Sequence, residues 1–454
     1  MVGSDDATMF GVGIKRLDVV RTWKELRSLR RSATGTLDEV QTIQMPRLRW
    51  MVDHAVRHVG LYRSLFPGDA ARRLQHPDDL LRLPFTDRAV CRANPIAELL
   101  SSDPPPGSRR ISSSGTTGEP SEVLYSPGAA WYQGILALRR DGVRGLRPWD
   151  KRCEVTSLRE GPRRSGIWEL LDRRFMRVPT TRPPALLARD VLALRPVLLA
   201  GHGHLLVELG EELDGAFRPR YLVTYGESLD GVTSDALVDL YGQRQLDQYG
   251  TAEHGSVAWQ CTAADLYHID HEAVLLEVLD DHGAPVPPGE TGEVVLSGLW
   301  NPLMPFLRYR IGDIATLADR PCACGYRLPA LARIWGRTMD WILDSRGRWV
   351  APQRLWIDHH LERDLVQGVV RRYHVRQDAT GAIRVLVLPY RDLPADFANR
   401  LQASYRRLLG QDAMIEVVPV ADLPLHPSGK FRRFSSELVR SRDAWQSESP
   451  ATPW

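Results

Sequence analysis

Lysine is almost missing from this chain. Only Lys15, Lys24, Lys151 and Lys430 occur, although Lys and Arg together number 59 against 56 acidic residues. A formal charge of +3 demands no polyelectrolyte partner, so nucleic acid is not expected. Codon bias toward arginine accounts for the scarcity, and it draws the eye to each lysine that persists. Cysteine is thin as well: five in 454 residues exclude a disulfide scaffold and suit a reducing compartment or a metal. No run approaches the ~20 apolar residues of a membrane span. Residues 1–22 lack the apolar stretch of a secretory signal, so a cytoplasmic chain without a membrane partner is expected.

What is present suffices for at least two cores, because 43% of residues are hydrophobic and single cores stop growing at roughly 250–300 residues. In residues 36–66, Val40, Ile43, Leu48, Met51, Val52, Ala55, Val56 and Val59 recur at helical spacing, with Pro46 expected to kink or interrupt the helix. Strand-like runs at 196–200 and 221–224 then alternate with a helix candidate at 234–240, which predicts an α/β sheet. Past Glu272 the texture turns β-rich, with strands expected at 274–279 and 292–296 around a loop of turn formers. Near residues 336–340 an α+β pattern begins, including an amphipathic helix at 396–409, and the tail 448–454 reads as disordered. The expected fold class is α/β: a large N-terminal domain with a β-rich subdomain, residues 1–335, and a small α+β domain, residues 336–454.

Ser112-Ser-Ser-Gly-Thr-Thr-Gly118 is the first chemical signal. Gly115 and Gly118 permit tight turns that expose amide hydrogens, and Ser113, Ser114, Thr116 and Thr117 add hydroxyl donors, a set able to wrap a polyphosphate. No Gly-Lys-Ser/Thr follows, so this is not a Walker loop. Alone, such a run is more often a flexible loop. With Glu-Pro and a β-like Val123-Leu-Tyr125 behind it, the stretch resembles the pyrophosphate-gripping loop of the adenylate-forming superfamily. That family carries lysine where Glu119 stands here. A desolvated carboxylate there would repel the phosphates by a few kcal/mol, with Arg109 and Arg110 close enough in sequence to compensate.

Further motifs follow in the family's order. Asp247-Gln248-Tyr249-Gly250-Thr251-Ala-Glu253-His-Gly255 resembles the Tyr-Gly-x-x-Glu segment, which implies Tyr249 at adenine, Thr251 at the α-phosphate and Glu253 as magnesium ligand. The types suit: an aromatic face stacks a purine, a hydroxyl donates to phosphoryl oxygen, and a hard carboxylate suits magnesium. Tyr225-Gly226-Glu227-Ser228 resembles the turn lining the adenine and acyl pockets, and by itself reads equally as a capped strand–helix turn. Arg308-Tyr-Arg-Ile-Gly-Asp313 resembles the segment whose aspartate accepts both ribose hydroxyls, as a carboxylate can. Gly336-Arg337-Thr-Met-Asp340 resembles the hinge on which the C-terminal domain swivels, Arg337 touching the nucleotide and Asp340 absorbing the rotation. Ser428-Gly-Lys430-Phe-Arg-Arg433 resembles the last motif, whose lysine bridges carboxylate and α-phosphate. A lone Ser-Gly-Lys is usually a surface turn; five weak signals in the right order are a strong one.

Cys261, His268, Cys322 and Cys324 offer a tetrahedral zinc set that spacing alone leaves undecided. Proteins like phenylacetate-CoA ligase show a cysteine, an x-His-Ile segment and Cys-x-Cys-Gly here, which implies structural zinc, with His271 as the other candidate imidazole. Cys91 and Cys153 read as core residues.

The resemblance covers nearly the whole chain and implies activation of a carboxylic acid by ATP and magnesium to an acyl-adenylate, then transfer to coenzyme A. Residues 343–350 read as a β-hairpin instead of the coenzyme A loop of phenylacetate-CoA ligases. This is closer to the branch of capsule-biosynthesis and deazaflavin-coenzyme adenylyltransferase-like proteins. An amine, a carrier protein or a hydroxyl therefore stands as alternative acceptor. Trp131, Tyr132, Tyr225 and His254 are the candidate lining of an acid pocket suited to aryl or heteroaryl groups, Trp131 and His254 reading equally as structural. A homodimer is the default assembly.

Overall fold

The computed structural model describes residues 24–29, 35–113, 121–147, 149–156, 175–227, 229–280, 282–337, 340–350, 352–357, 361, 366–423, 431 and 433–438. Its contacts divide the chain into two compact units, one of residues 1–148 with 248–334, the other of residues 149–247 with 335–454.

In the first unit the predicted helix forms over Leu37–His58 and continues through the position of Pro46 without interruption. Proline is tolerated because Pro46 lies on the exposed face. A capping box starts the helix: the Thr36 hydroxyl accepts from Glu39 N–H, and the Glu39 carboxylate accepts from Thr36 N–H. Val40, Met45, Leu48, Met51, Val52 and Ala55 turn inward. Each of the valine, leucine and methionine side chains contributes about 1.5–3 kcal/mol of burial.

The β-rich texture becomes an antiparallel sheet in the order Val274–Leu279, Thr291–Gly298, Tyr309–Leu317, Ala330–Arg337, Tyr267–Ile269, Gly255–Gln260, Leu246–Thr251. Val274 to Leu279 pair with Gly298 to Glu293, as the two predicted strands require. Strands Arg109–Ser113 and Ser121–Tyr125 pair antiparallel at the base of the hydroxyl-rich loop, with Ser113 opposite Ser121.

The second unit opens with four parallel strands in the order Phe175–Pro179, Arg152–Thr156, Leu198–Gly201, Tyr221–Tyr225. Parallel neighbours need crossovers, and helices Pro184–Leu194 and Gly203–Leu213 supply two of them. A second sheet runs Ile415–Pro419, Ile383–Pro389, Val370–Gln377, Phe434–Ser436. Helix Phe397–Leu409 seals that unit's core with Phe397, Leu401, Tyr405 and Leu409. The predicted hairpin forms from Ile342–Leu343 and Trp349–Val350, its turn tied by Asp344 Oδ1, which accepts from Arg346 and Arg348 amides. The architecture is the mixed α/β fold read from the sequence. Among the described residues no helix is long and apolar enough to cross a membrane.

Candidate active site

Strand Leu246–Thr251 carries the Tyr-Gly-Thr motif into a turn, and Gly255–Gln260 returns antiparallel with a register shift at Tyr249/Gly250. Glycine is obligatory here. A Cβ on Gly250 would lie 2.6 Å from the Gly255 carbonyl oxygen, and Gly255 has a left-handed φ of 64°. Two hydroxyls brace the turn that bears Glu253: Thr251 Oγ1 accepts from His254 N–H at 2.9 Å, and Tyr125 donates to Ala252 O at 2.6 Å.

Two side-chain bonds then join this motif to the next. The Tyr249 hydroxyl donates to Asp313 Oδ2 at 2.7 Å, and the Tyr309 hydroxyl donates to Glu253 Oε1 at 3.5 Å. Tyr309 and Asp313 both lie on strand Tyr309–Leu317, where Gly312 takes a φ of 78° beside a register shift at Glu293/Val295. Such a bulge re-aims a side chain. Burial, and then the charge of Glu253, push the Tyr309 phenol up, which keeps it a proton donor. Among the predicted nucleotide residues, Tyr249, Thr251, Glu253 and Asp313 therefore come together, with Gln248 half-buried beside them. Tyr309 was missed as a partner of Glu253, though it stands inside the quoted Arg-Tyr-Arg-Ile-Gly-Asp motif.

Three of the predicted pocket residues also lie in this unit. Trp131, on helix Pro127–Val143, is half-buried and packs on the core. Tyr132 is wholly buried; its hydroxyl accepts from Arg47 at 2.5 Å, beside the Glu272 carbonyl. His254 is also fully buried, next to Thr251 and the Phe306 carbonyl, and burial lowers its pKa to about 3. Both side chains are engaged in packing. Ser114, Gly115, Thr116, Thr117, Gly118 and Glu119 of the phosphate loop, with Ser228 and Lys430, lie outside the described residues, and Ser113 is described in its backbone only.

In the second unit Tyr225 ends its strand and donates to Val155 O at 2.8 Å, and Gly226 takes a φ of 79°. Glu227 turns inward. Its Oε1 accepts from His204 N–H at 3.2 Å, and both oxygens approach His204 Nδ1 at 3.1–3.2 Å. Arg337 and Asp340 are half-buried in this unit. No sequence signal pointed to His204.

The cysteine–histidine set converges in the first unit. The ligand atoms of Cys261, His268, Cys322 and Cys324 all lie within 4.8 Å of one another. Zinc–sulfur bonds of 2.3 Å in a tetrahedron place sulfurs about 3.8 Å apart, so the set fits after small adjustment. Local structure explains the convergence. Cys261 ends strand Gly255–Gln260, His268 stands opposite Trp259 on the neighbouring strand, and Gly325, with φ of 91°, closes the Cys-Ala-Cys turn. His268 stacks on Tyr326 at 4.0 Å, and its Nε2 is 3.5 Å from Cys324 Sγ. Burial lowers His268 to about 4 and pushes the Cys261 thiol up to about 12. A divalent metal would hold those sulfurs as thiolates. His271 contacts the Pro329 carbonyl through Nε2 instead. Cys153 is buried in a core of the second unit, and Cys91 packs half-buried against the core of the first.

No family model matches the chain. Phenylacetate-coenzyme A ligase of Thermus thermophilus is 25% identical over 448 residues, covering 87% of this chain and 96% of that one. The enzyme of the same name from Escherichia coli is 28% identical, covering 75% and 82%. Among solved structures, 2-hydroxyisobutyryl-CoA ligase in its postadenylation state superposes with a TM-score of 0.70 at 19% identity, over 91% of this chain and 92% of that one. An anthranilate CoA ligase bound to anthranoyl-AMP gives 0.50 over 71% and 65%. The order of motifs, these relatives and the shared fold agree: the chain is an acid-CoA ligase-like enzyme, similar to the phenylacetate-CoA ligases in sequence and to the adenylate-forming ligases in fold.

Proposed function

We propose that the protein joins a carboxylic acid, of the aryl or heteroaryl class, to AMP with release of pyrophosphate, and then passes the acyl group to coenzyme A. The pair of bonds that sets Glu253 and Asp313 beside Tyr249 and Thr251 carries this reading. In it, Asp313 accepts the ribose hydroxyls, Tyr249 offers its ring to adenine, and the Thr251 hydroxyl donates to the α-phosphate. Glu253 would hold magnesium, which supplies charge neutralisation at the phosphates when bound. Ser113 to Gly118 grip the departing pyrophosphate. Gly226, Glu227 and Ser228 are assigned to the adenine side by their motif, and Trp131 and Tyr225 are each assigned to the acid. Lys430 stabilises the carboxylate oxygen as it attacks. Residues 336–454 act as a mobile domain hinged at Arg337 and Asp340, the change in sequence texture at 336–340 supporting this division. Cys261, His268, Cys322 and Cys324 hold a structural zinc ion, their mutual spacing being the support.

A second reading keeps adenylation and changes the acceptor to an amine, a carrier protein or a hydroxyl. It is favoured by the Ile342–Val350 hairpin, which stands where phenylacetate-CoA ligases carry their coenzyme A loop. A panel of aryl, heteroaryl and aliphatic acids separates the readings. Acid-dependent pyrophosphate release is expected, and AMP release with a thioester only when coenzyme A is added. Acid-dependent pyrophosphate without a thioester selects the second reading, and silence across the panel rejects both.

A further inference from the structure

Arg433 lies three residues after Lys430, in the last motif, yet its guanidinium is buried among protein groups. Nε donates to Asp230 Oδ2 at 2.7 Å and Nη2 donates to Thr233 Oγ1 at 2.6 Å. Asp230 is also the N-cap of helix Gly231–Tyr241, its Oδ1 accepting from Thr233 N–H at 2.9 Å. One carboxylate thus begins a helix and anchors the final motif. The backbone is pinned as well: Val375 N–H donates to Arg433 O at 2.7 Å, and Phe434 opens a strand in parallel register with Val375.

Glu227, in the turn three residues before Asp230, belongs to the same electrostatic group. Burial alone would raise its pKa; His204, and then Arg433, hold it well below the usual carboxylate range. A buried ion pair adds little net stability over an apolar pair of the same shape, but it fixes geometry and is costly to break. Three residues of extended chain reach at most ~10 Å. Fixing Arg433 therefore limits the span that any residue three positions ahead of it can reach.

We propose that Arg433 is a positioning residue: its buried bonds to Asp230 and Thr233 fix the end of the last motif to the start of helix Gly231–Tyr241, just after the Tyr225-Gly-Glu-Ser stretch, and so favour Lys430 in its adenylation role. This rests on the adenylation reading above and adds a residue to it.

The test compares the full chain with Asp230→Ser/Arg433→Leu. This variant removes both charges while serine keeps the helix cap. Hydrogen exchange read by mass spectrometry should quicken at least tenfold in residues 431–438, with helix Gly231–Tyr241 unchanged. With an acid from the panel, pyrophosphate exchange should fall at least tenfold. Acyl transfer from supplied acyl-adenylate should stay within twofold. Unaltered exchange at 431–438, undiminished adenylation, or equal loss of both half-reactions each overturns the proposal. If the parent chain itself adenylates no acid, the adenylation reading fails on that measurement. The hydrogen-exchange arm still decides whether Arg433 anchors the segment.

Discussion

In the proposed function Asp313 receives two ribose hydroxyls and must keep its orientation; the Tyr249 hydroxyl holds it by Oδ2 at 2.7 Å. Asp313→Ala is therefore expected to weaken ATP binding by tenfold or more, the 1.5–3 kcal/mol of hydrogen bonds to a charged group. Tyr249→Phe, which keeps the ring and loses the brace, should cost only severalfold; titration calorimetry with magnesium-ATP reads both. Equal losses would show that the Asp313 carboxylate binds ATP only while the Tyr249 hydroxyl holds it. His254 gives a separate pH signature. Its folded pKa of about 3 lies below the ordinary histidine value, so the unfolded chain takes up a proton that the native state refuses. Stability should fall as pH drops below about 6.5 and keep falling toward 3, by about 2 kcal/mol at pH 5. In His254→Gln, urea unfolding at pH 7 and pH 5 should differ by that much less. At this scale residue type singled out Glu253 and Asp313, and the structure brings them together through Tyr309 and Tyr249. Tyr132 and His254 were harder to read because an aromatic polar side chain serves a pocket or a core equally well, and only burial separates the two.

Elements were legible where periodicity and end signals agreed. The helix after Thr36, the strands at 274–279 and 292–296, the helix near 396–409 and the hairpin at 343–350 all form where patterning put them. Pro46 went otherwise because its exposed position in helix Leu37–His58 lets the helix absorb the missing donor. The cysteine–histidine cluster shows what spacing cannot say. Cys261 and Cys322 are distant in sequence, and it is the pairing of Tyr267–Ile269 with both Gly255–Gln260 and Ala330–Arg337 that brings them together. Metal analysis should find one zinc per chain. Cys322→Ser should lose it and lower Tm by roughly 10 °C, about 3 kcal/mol at 2–4 °C per kcal/mol for a unit of this size. Retention of zinc by that variant would remove Cys322 from the ligand set.

Across the whole molecule the two compact units each draw on two separated stretches of chain. Composition along a sequence reports contiguous segments, so it cannot announce that residues 149–247 pack with residues 335–454. That packing is visible only as bonds such as Arg371 to Glu211 at 2.8 Å and Arg433 to Asp230 at 2.7 Å. The proposed function is a sequence of two half-reactions, and Lys430 is assigned to the first alone. Adenylation brings an anionic carboxylate onto an anionic α-phosphate and gathers negative charge around the pentacoordinate phosphorus, which an ammonium stabilises; transfer from a finished acyl-adenylate does not form that phosphorus centre. Lys430→Ala should accordingly cut acid-dependent pyrophosphate exchange by 10²-fold or more, ~3 kcal/mol of transition-state stabilisation. The same variant, supplied with acyl-adenylate and acceptor, should release AMP within a few-fold of the parent rate. A comparable collapse of both steps would mean that the lysine holds the protein together instead of the transition state. Loss of neither would place the charge elsewhere, with Arg337 the next cation to replace.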